Sequence, residues 1–218
     1  MIAGLLHTVP ALAATFDGMV VEAVPGVERQ HVVDAWMLET AIRDGVTPQV
    51  RERVAAHLEH LRECGADAVL VTCSSIGEAA ERAGAGMSIP VLRVDEPMAA
   101  EAVRLAAAGK ALIAVFATNT ATLGPTTRLI ERYVAERGSN ATVSTTVVEE
   151  AAAARASGDA GEHDRLIAEA VRRVADSAAV IVLAQASMAD AASSAGLSVP
   201  VLTSPRSGAE RLREVLTS

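Results

Sequence analysis

Hydrophobic residues recur along the chain in short runs of strand length, and these runs alternate with stretches of helical periodicity. Most of the runs are continuous and rich in Val, Ile and Leu, a pattern typical of parallel strands that are buried on both faces. The pattern predicts strands at 2–6, 18–22, 68–71, 91–94, 112–116, 142–148, 180–183 and 199–202. It predicts helices at 48–63, 96–108, 123–137, 164–176 and 207–216, and it leaves 151–161 open between a frayed helix and a loop.

The chain contains an internal repeat. The segment AGMSIPVL at 85–92 and the segment AGLSVPVL at 195–202 share six of eight residues at an offset of 110. The same offset places the first predicted strand over the strand at 112–116, and it places Thr8 over Thr118. Several collinear matches indicate that the chain is one unit of about 110 residues taken twice.

A second pair of matching segments aligns one residue of the first half with one residue of the second half. VLVTCSSIGEAA at 69–80 lies over IVLAQASMADAA at 181–192 at an offset of 112, which a two-residue insertion explains. Cys73 therefore has Gln185 as its counterpart.

Strands that alternate with helices predict parallel βαβ units. We therefore expect an α/β fold with two pseudo-symmetric lobes, each a mostly parallel sheet flanked by helices, with the site in the cleft between them. Residues 1–96 are the first lobe and residues 97–206 the second. We expect the C-terminal helix at 207–218 to pack back on the first lobe.

The turns that follow the strands are rich in hydroxyl side chains. Ligands of parallel sheets collect at the carboxyl ends of strands, where helix N-termini offer unpaired N–H groups to anions. We expect these residues to bind a carboxylate: His7, Thr8, Ser74 and Ser75 in the first lobe, and Thr118, Asn119, Thr122, Gln185, Ala186 and Ser187 in the second.

Cys73 is the candidate catalytic residue. It lies between a predicted strand and a helix start, where N–H groups and the helix dipole lower the pKa of a thiol. A thiolate can abstract a proton or attack an electrophilic carbon. Free cysteines are also common in cores, but the hydroxyls of the TCSS segment favour a functional role. Cys64 precedes Gly65, a usual helix-stop residue, and we interpret it as structural.

Composition and charge exclude several other classes of function. The net charge is −8 and no run of Lys or Arg is present, which argues against nucleic acid as a partner. No apolar stretch approaches the roughly 20 residues that span a bilayer, so no membrane association is expected. The N-terminal segment lacks a basic n-region and is expected to be a core strand rather than a signal peptide. Two cysteines make no disulfide framework, which favours a reducing, cytoplasmic location.

Cofactor and metal motifs are absent from the sequence. Neither GxGxxG nor GxxxxGK[ST] occurs where a nucleotide site would need it. No His, Cys, Asp or Glu cluster has metal-ligand spacing, and His57 with His60 is interpreted as a solvated helix face. We therefore expect no cofactor and no metal.

The segment VLVTCSSIGEA resembles the first cysteine motif of the aspartate/glutamate/hydantoin racemase superfamily, and IVLAQASMADA resembles its second motif. The segment ATNTATL at 117–123 resembles the Thr-rich carboxylate-binding loop of the second lobe. The resemblance implies a cofactor-independent enzyme that acts on a small amino acid or (di)carboxylate, with one cysteine on each face of the substrate Cα. It also implies a homodimer or a higher homo-oligomer.

The chain departs from this family at the second cysteine, because that position is Gln185. An amide cannot act as a base, so two-base racemisation is not expected. We expect an isomerase of the racemase type in which Cys73 is the base or nucleophile. The alternatives are a one-cysteine decarboxylase, a cis–trans isomerase of a dicarboxylate, or a catalytically silent carboxylate-binding protein. His7 is either a substitute acid or a polar residue that ends a strand.

Overall fold

The computed structural model describes residues 1–194 and 196–218. Ala195, the first residue of the second octapeptide of the repeat, lies outside the described residues. The chain divides into two compact units. The first unit is Met1–Pro97 together with Pro205–Ser218, and the second is Met98–Ser204.

The first unit contains a four-stranded parallel sheet with the strand order β2-β1-β3-β4. Its strands are β1 (Ile2–His7), β2 (Glu28–Val33), β3 (Ala68–Val71) and β4 (Val91–Arg93). Its helices are α1 (Pro10–Ala23), α2 (Ala35–Asp44), α3 (Pro48–Glu63), α4 (Gly77–Gly84), the start of α5 (Glu96–Ala107) and nearly all of α10 (Ser204–Leu216).

The second unit contains a four-stranded parallel sheet with the order β6-β5-β7-β8. Its strands are β5 (Leu112–Ala117), β6 (Thr142–Val147), β7 (Val180–Leu183) and β8 (Val201–Thr203). Besides most of α5, its helices are α6 (Thr120–Glu136), α7 (Glu149–Ala156), α8 (Ala160–Arg172) and α9 (Ala189–Ser194).

Helices cover both faces of each sheet. The apolar contacts of strand β5 show this, because its alternate residues pack into two different clusters. Ile113 and Val115 pack into one apolar cluster with residues of α5 and α6. Ala114 and Phe116 pack into a second cluster with residues of α8. Because alternate strand residues point to opposite faces, a strand buried on both faces needs an unbroken apolar run. The α/β class with two lobes, each a parallel sheet flanked by helices, is confirmed.

One predicted strand is wrong. Residues 18–22 belong to α1, in which Phe16 and Val20 are buried one helical turn apart. Val20 is fully buried while Val21 is 41% exposed. A short apolar run fits a strand and a helix equally well by periodicity. The strand that the sequence analysis missed is β2, which lies at a sheet edge and begins with four polar residues.

The other predicted elements are present with shifts of up to a few residues at their ends. Helix α3 has the predicted bounds, and the open segment 151–161 contains the end of α7 and the start of α8. Among the described residues, no helix is both long and apolar enough to cross a membrane.

Candidate functional site

Cys73 lies directly after β3, where the buried apolar run of that strand ends. A one-turn 3-10 helix over Ser74–Ile76 follows it and leads into α4. Both serines of this turn are buried, whereas the cysteine is only half-buried. The turn therefore holds the Cys73 sulfur among hydroxyl and N–H donors.

Several donors surround the sulfur, yet burial dominates its ionisation. Burial raises the pKa of the Cys73 thiol above its ordinary value. The Thr8 hydroxyl, the N–H groups of Ser75 and Ile76 and the Ser75 hydroxyl act in the opposite direction, because they stabilise the thiolate. The expectation of a lowered pKa at this helix start is therefore wrong, since desolvation outweighs the donors.

Thr8 brings a buried hydroxyl to the sulfur from the end of β1. The residue is 2% exposed, and its Oγ1 has no hydrogen-bond partner of normal geometry among the described residues. A buried hydroxyl without a partner is costly. Thr8 therefore has hydrogen-bonding capacity available for a ligand beside Cys73.

In the second unit, Thr118 and Gln185 come together in the same way. Gln185 Oε1 accepts hydrogen bonds from the Thr118 backbone N, at 2.5 Å, and from Thr118 Oγ1, at 2.9 Å. A backbone N–H can only donate, so the atom that faces it is the amide oxygen. The Gln185 Nε2 group, which carries two N–H donors, therefore points away from Thr118.

The remaining predicted residues of the second unit shape the turns around this pair. Asn119 caps α6, and its Oδ1 accepts from the Thr122 backbone N at 3.0 Å. Thr122 is buried. Ala186 and Ser187 lie in a one-turn 3-10 helix after β7 and are half-buried. The side-chain oxygen of Asn119 therefore serves as the N-cap of α6.

His7 is fully buried at the end of β1, and both of its ring nitrogens have protein partners. Nδ1 lies 2.9 Å from Thr72 Oγ1, and Nε2 lies 3.0 Å from His31 Nδ1. Burial, and secondly the charge of His31, lower the pKa of His7 to about 4. These contacts place His7 in a hydrogen-bond chain within the first unit and leave no ring nitrogen free.

A buried ion pair that the sequence analysis did not identify supports the Cys73 turn. The Arg93 guanidinium donates to both carboxylate oxygens of Asp95, at 3.0 and 2.9 Å, and to Glu81 at 3.2 Å. A Cβ on Gly77 would lie 2.6 Å from Arg93 Nε. Arg93 therefore packs against the residue that starts α4. The sequence signal for this ion pair is the RVDEP segment at 93–97, in which Arg93 and Asp95 are two residues apart.

A second missed cluster follows β2. The Asp34 carboxylate is nearly buried and accepts from Arg53 Nε at 2.7 Å and from His57 Nε2 at 2.8 Å. Hydrogen bonds to these two side chains hold the pKa of Asp34 below its ordinary value against the opposing effect of burial. The Arg53 guanidinium also stacks 4.9 Å from the Trp36 ring centre. The sequence analysis did not identify this cluster because it did not predict β2, the strand that Asp34 follows.

The described residues contain no group of three or more His, Cys, Asp or Glu side chains that could hold a metal ion. Cys64 is exposed at the end of α3, with its sulfur 3.7 Å from His60 Nε2. It lies outside the strand-end turns described above.

Three solved structures illustrate the similarity of the fold. Glutamate racemase isoform RacE1 from Bacillus anthracis has a TM-score of 0.75 and 18% identity, covering 99% of this chain and 81% of that one. Aspartate racemase from Picrophilus torridus has a TM-score of 0.74 and 13% identity, with 98% and 93% covered. Allantoin racemase from Klebsiella pneumoniae has a TM-score of 0.65 and 17% identity, with 100% and 88% covered.

At these identities the structures share the fold with this chain. No curated protein matches the sequence. The sequence model described as Asp/Glu/Hydantoin racemase matches residues 7–212, which is nearly the whole chain. With the fold, this match shows that the chain belongs to the Asp/Glu/hydantoin racemase family.

Proposed function

We propose that the protein is a cofactor-independent enzyme of the racemase and isomerase type that acts on a small amino acid or (di)carboxylate through one cysteine, Cys73. The observation that carries the proposal is the difference between the two strand-end pairs. Thr8 faces a thiol, which can exchange a proton, whereas Thr118 holds an amide, which cannot. Gln185 stands where the family motif has its second cysteine, so the second proton-exchanging group of the motif is absent from this chain.

The state of the thiol supports one-sided chemistry. A cysteine with a raised pKa carries its proton at neutral pH. Such a thiol can give a proton to a carbanion that forms beside it, as decarboxylation of an activated diacid requires. A thiol that has lost its proton to solvent can form a C–S bond to an activated double bond and break its π bond. Rotation about the resulting single bond and release of the thiolate, which restores the double bond, complete a cis–trans isomerisation. The proposed carboxylate-binding groups are Thr8, Ser74 and Ser75 in the first unit, and Thr118, Thr122 and Gln185 Nε2 in the second.

Hydrogen exchange at the substrate Cα tests the proposal. The protein is incubated in D2O with a panel of amino acids, malonates and unsaturated diacids, and deuterium incorporation, CO2 release and isomerisation are followed. At least one substrate should turn over, and Cys73→Ser should reduce the rate by at least about 100-fold, because proton transfer by a positioned group contributes that much. Cys64→Ser is the matched control and should keep the wild-type rate. A fully active Cys73→Ser protein would refute the proposal.

The silent-binding alternative gives a different result in the same samples. A binding protein would turn over no member of the panel, while a carboxylate would still protect Cys73 from iodoacetamide.

Gln185→Cys tests the role of the missing second base. The substitution restores the residue type that the family motif has at this position. We expect the variant to racemise an amino acid that the wild type only exchanges from one side or does not exchange. Efficient two-sided racemisation by the wild type would contradict the argument from Gln185. A homo-oligomeric state and a cytoplasmic location stay predictions from the resemblance and the cysteine content.

A further inference from the structure

Four side chains of the first unit form a continuous hydrogen-bond chain from the surface to the strand ends, which we name the histidine relay: Asp17, His31, His7 and Thr72. Asp17 Oδ1 lies 3.0 Å from His31 Nε2, His31 Nδ1 lies 3.0 Å from His7 Nε2, and His7 Nδ1 lies 2.9 Å from Thr72 Oγ1. Asp17 is well exposed, whereas His7 is fully buried.

Donor and acceptor chemistry allows two proton arrangements of the relay. In the first, the Thr72 hydroxyl donates to the Leu6 carbonyl oxygen, which lies at 3.2 Å. His7 Nδ1–H must then donate to Thr72, so His7 Nε2 accepts from His31. His31 also faces a carboxylate, which only accepts, so both of its nitrogens carry protons and His31 is positively charged.

In the second arrangement, every hydrogen bond between these side chains keeps its partners and two of them reverse direction. The Thr72 hydroxyl donates to His7 Nδ1, His7 Nε2–H donates to His31 Nδ1, and His31 Nε2–H donates to Asp17. Both histidines are then neutral. The two arrangements differ by one proton, taken from or released to solvent at the exposed end.

Charged side chains of the described residues lie at the exposed end of the relay. Arg29, two residues before His31 on the same face of β2, donates to the same Asp17 oxygen at 2.9 Å. Helix α1 contributes Asp17, and β1 contributes the neutral His7, whose ring also lies 5.9 Å from the Phe16 ring. Helix α3 meets the other face of β2, where Gln30 donates to the Cys64 carbonyl oxygen. Asp17 and Arg29 therefore place one negative and one positive charge at the exposed end of the relay.

The buried end of the relay lies beside the candidate site. His7 precedes Thr8, and Thr72 precedes Cys73, so the His7–Thr72 bond joins the ends of β1 and β3 one residue before the Thr8–Cys73 contact. Each end of the His7–Thr72 bond is thus one peptide bond away from a residue of the Thr8–Cys73 contact, so the relay reaches the sulfur through the backbone of two adjacent residues.

We propose that His7 is a positioning residue for Cys73. Uptake of one proton by the histidine relay switches the His7 tautomer and turns the Thr72 hydroxyl from one acceptor to another. The position of the Cys73 sulfur among its hydrogen-bond donors therefore depends on pH. The link to Cys73 rests on the proposed function, whereas the proton uptake does not.

Long-range 1H–15N NMR of the histidine rings in the intact protein tests the proton uptake, with His7→Gln and His31→Gln used for assignment. As the pH rises, the His7 signals should change from the Nδ1–H to the Nε2–H tautomer at the same midpoint at which His31 loses its charge. Titration of His31 with no change of the His7 tautomer would overturn the relay.

Two carboxamide variants separate the relay from general electrostatics. Asp17→Asn should lower the midpoint by about one pH unit, a tenfold loss of proton affinity, because it removes the carboxylate beside the charged His31. Asp164→Asn is the matched control in the second unit, where Asp164 Oδ1 lies 2.7 Å from His163 Nδ1, and it should leave the midpoint unchanged. An unchanged midpoint in Asp17→Asn would contradict the proposal.

Iodoacetamide labelling, read on the Cys73 peptide by mass spectrometry, tests the coupling to the sulfur. The ratio of wild-type to His31→Gln labelling rates should change about fivefold across the relay midpoint, the effect of about one net hydrogen bond. His60→Gln is the control and should follow the wild type. A constant ratio would overturn the positioning role. Failure of every substrate in the D2O panel would refute the proposed function instead and leave the NMR result standing.

Discussion

Two threonines that lie 110 residues apart, each directly after a strand, contact different chemical groups. Thr8, after β1, presents its hydroxyl to the Cys73 sulfur. Thr118, after β5, bonds the Gln185 amide oxygen through both its backbone and its side chain. The thiol of the first pair can gain or lose a proton, whereas the amide of the second pair donates and accepts hydrogen bonds but cannot act as a base. This single difference is the reason to expect one-sided chemistry from a fold shared with racemases.

At the residue scale, His7 should make the protein less stable in acid. Its pKa is about 4 in the folded protein, against an ordinary value of 6.5. Between these values the unfolded chain binds a proton that the folded chain does not, so the free energy of unfolding falls as the pH falls through this range. The total loss is about 3 kcal/mol, and the residue has no such effect above pH 6.5.

Urea unfolding between pH 4 and 7.5 measures this effect. His7→Gln should flatten the dependence of the unfolding free energy on pH below 6.5. His60→Gln, an exposed helix position, should keep the wild-type slope. Equal slopes for the wild type and His7→Gln would show that the buried imidazole does not titrate as argued.

At the element scale, helix α10 packs closely on the end of β4. A Cβ on Gly208 would lie 2.7 Å from Val94 Cγ2 and 3.1 Å from the Val94 carbonyl oxygen. Backbone atoms cannot yield as a flexible side chain can, so this helix depends on a glycine at the crossing. The same helix buries Ala209 and Leu212.

Gly208→Ala should therefore lower the free energy of unfolding by about 1–3 kcal/mol, as overpacking does. Gly18→Ala in α1 is the matched control, because nothing lies within 4 Å of the added Cβ. It should raise stability by about 0.5–1 kcal/mol, since alanine loses less backbone entropy in a helix. Chemical denaturation measures both. Equal effects of the two substitutions would contradict the packing argument.

Element prediction succeeded where strands are buried and failed where an edge strand is polar. The runs that became β3 and β7 lie buried in the middle of their sheets, and their bounds were predicted as observed. At the edge, β2 carries Glu28, Arg29 and Gln30, and nothing in its pattern distinguishes it from a loop. The run at 18–22 was assigned to a strand because five residues are too few to separate the two periodicities.

At the scale of the whole molecule, the first unit is discontinuous in sequence. It needs the C-terminal residues Pro205–Ser218 to complete it, whereas the second unit is the continuous segment Met98–Ser204. Deletion of residues 205–218 removes the buried side chains of α10 and exposes the Val94 region of the first unit.

Hydrogen exchange read by mass spectrometry should show this asymmetry. In the chain truncated after Ser204, amides of β1, β3 and β4 should lose protection, while β5 and β7 should keep most of theirs, because local stability follows local packing. Deletion of Thr217 and Ser218 alone is the control and should change neither set. Equal loss of protection in all five strands would argue against two compact units.

The sequence by itself determined the α/β class, the repeat and the Cys73–Gln185 difference, because buried strands, turns and motif residues are local properties of the chain. Only the tertiary structure decided the ionisation of Cys73 and the partners of His7, since both depend on residues far apart in sequence. Burial raises the thiol pKa although the helix start alone predicts the opposite. The neighbours of His7, which are Thr72 and His31, meet it only when β1 is paired with both β2 and β3.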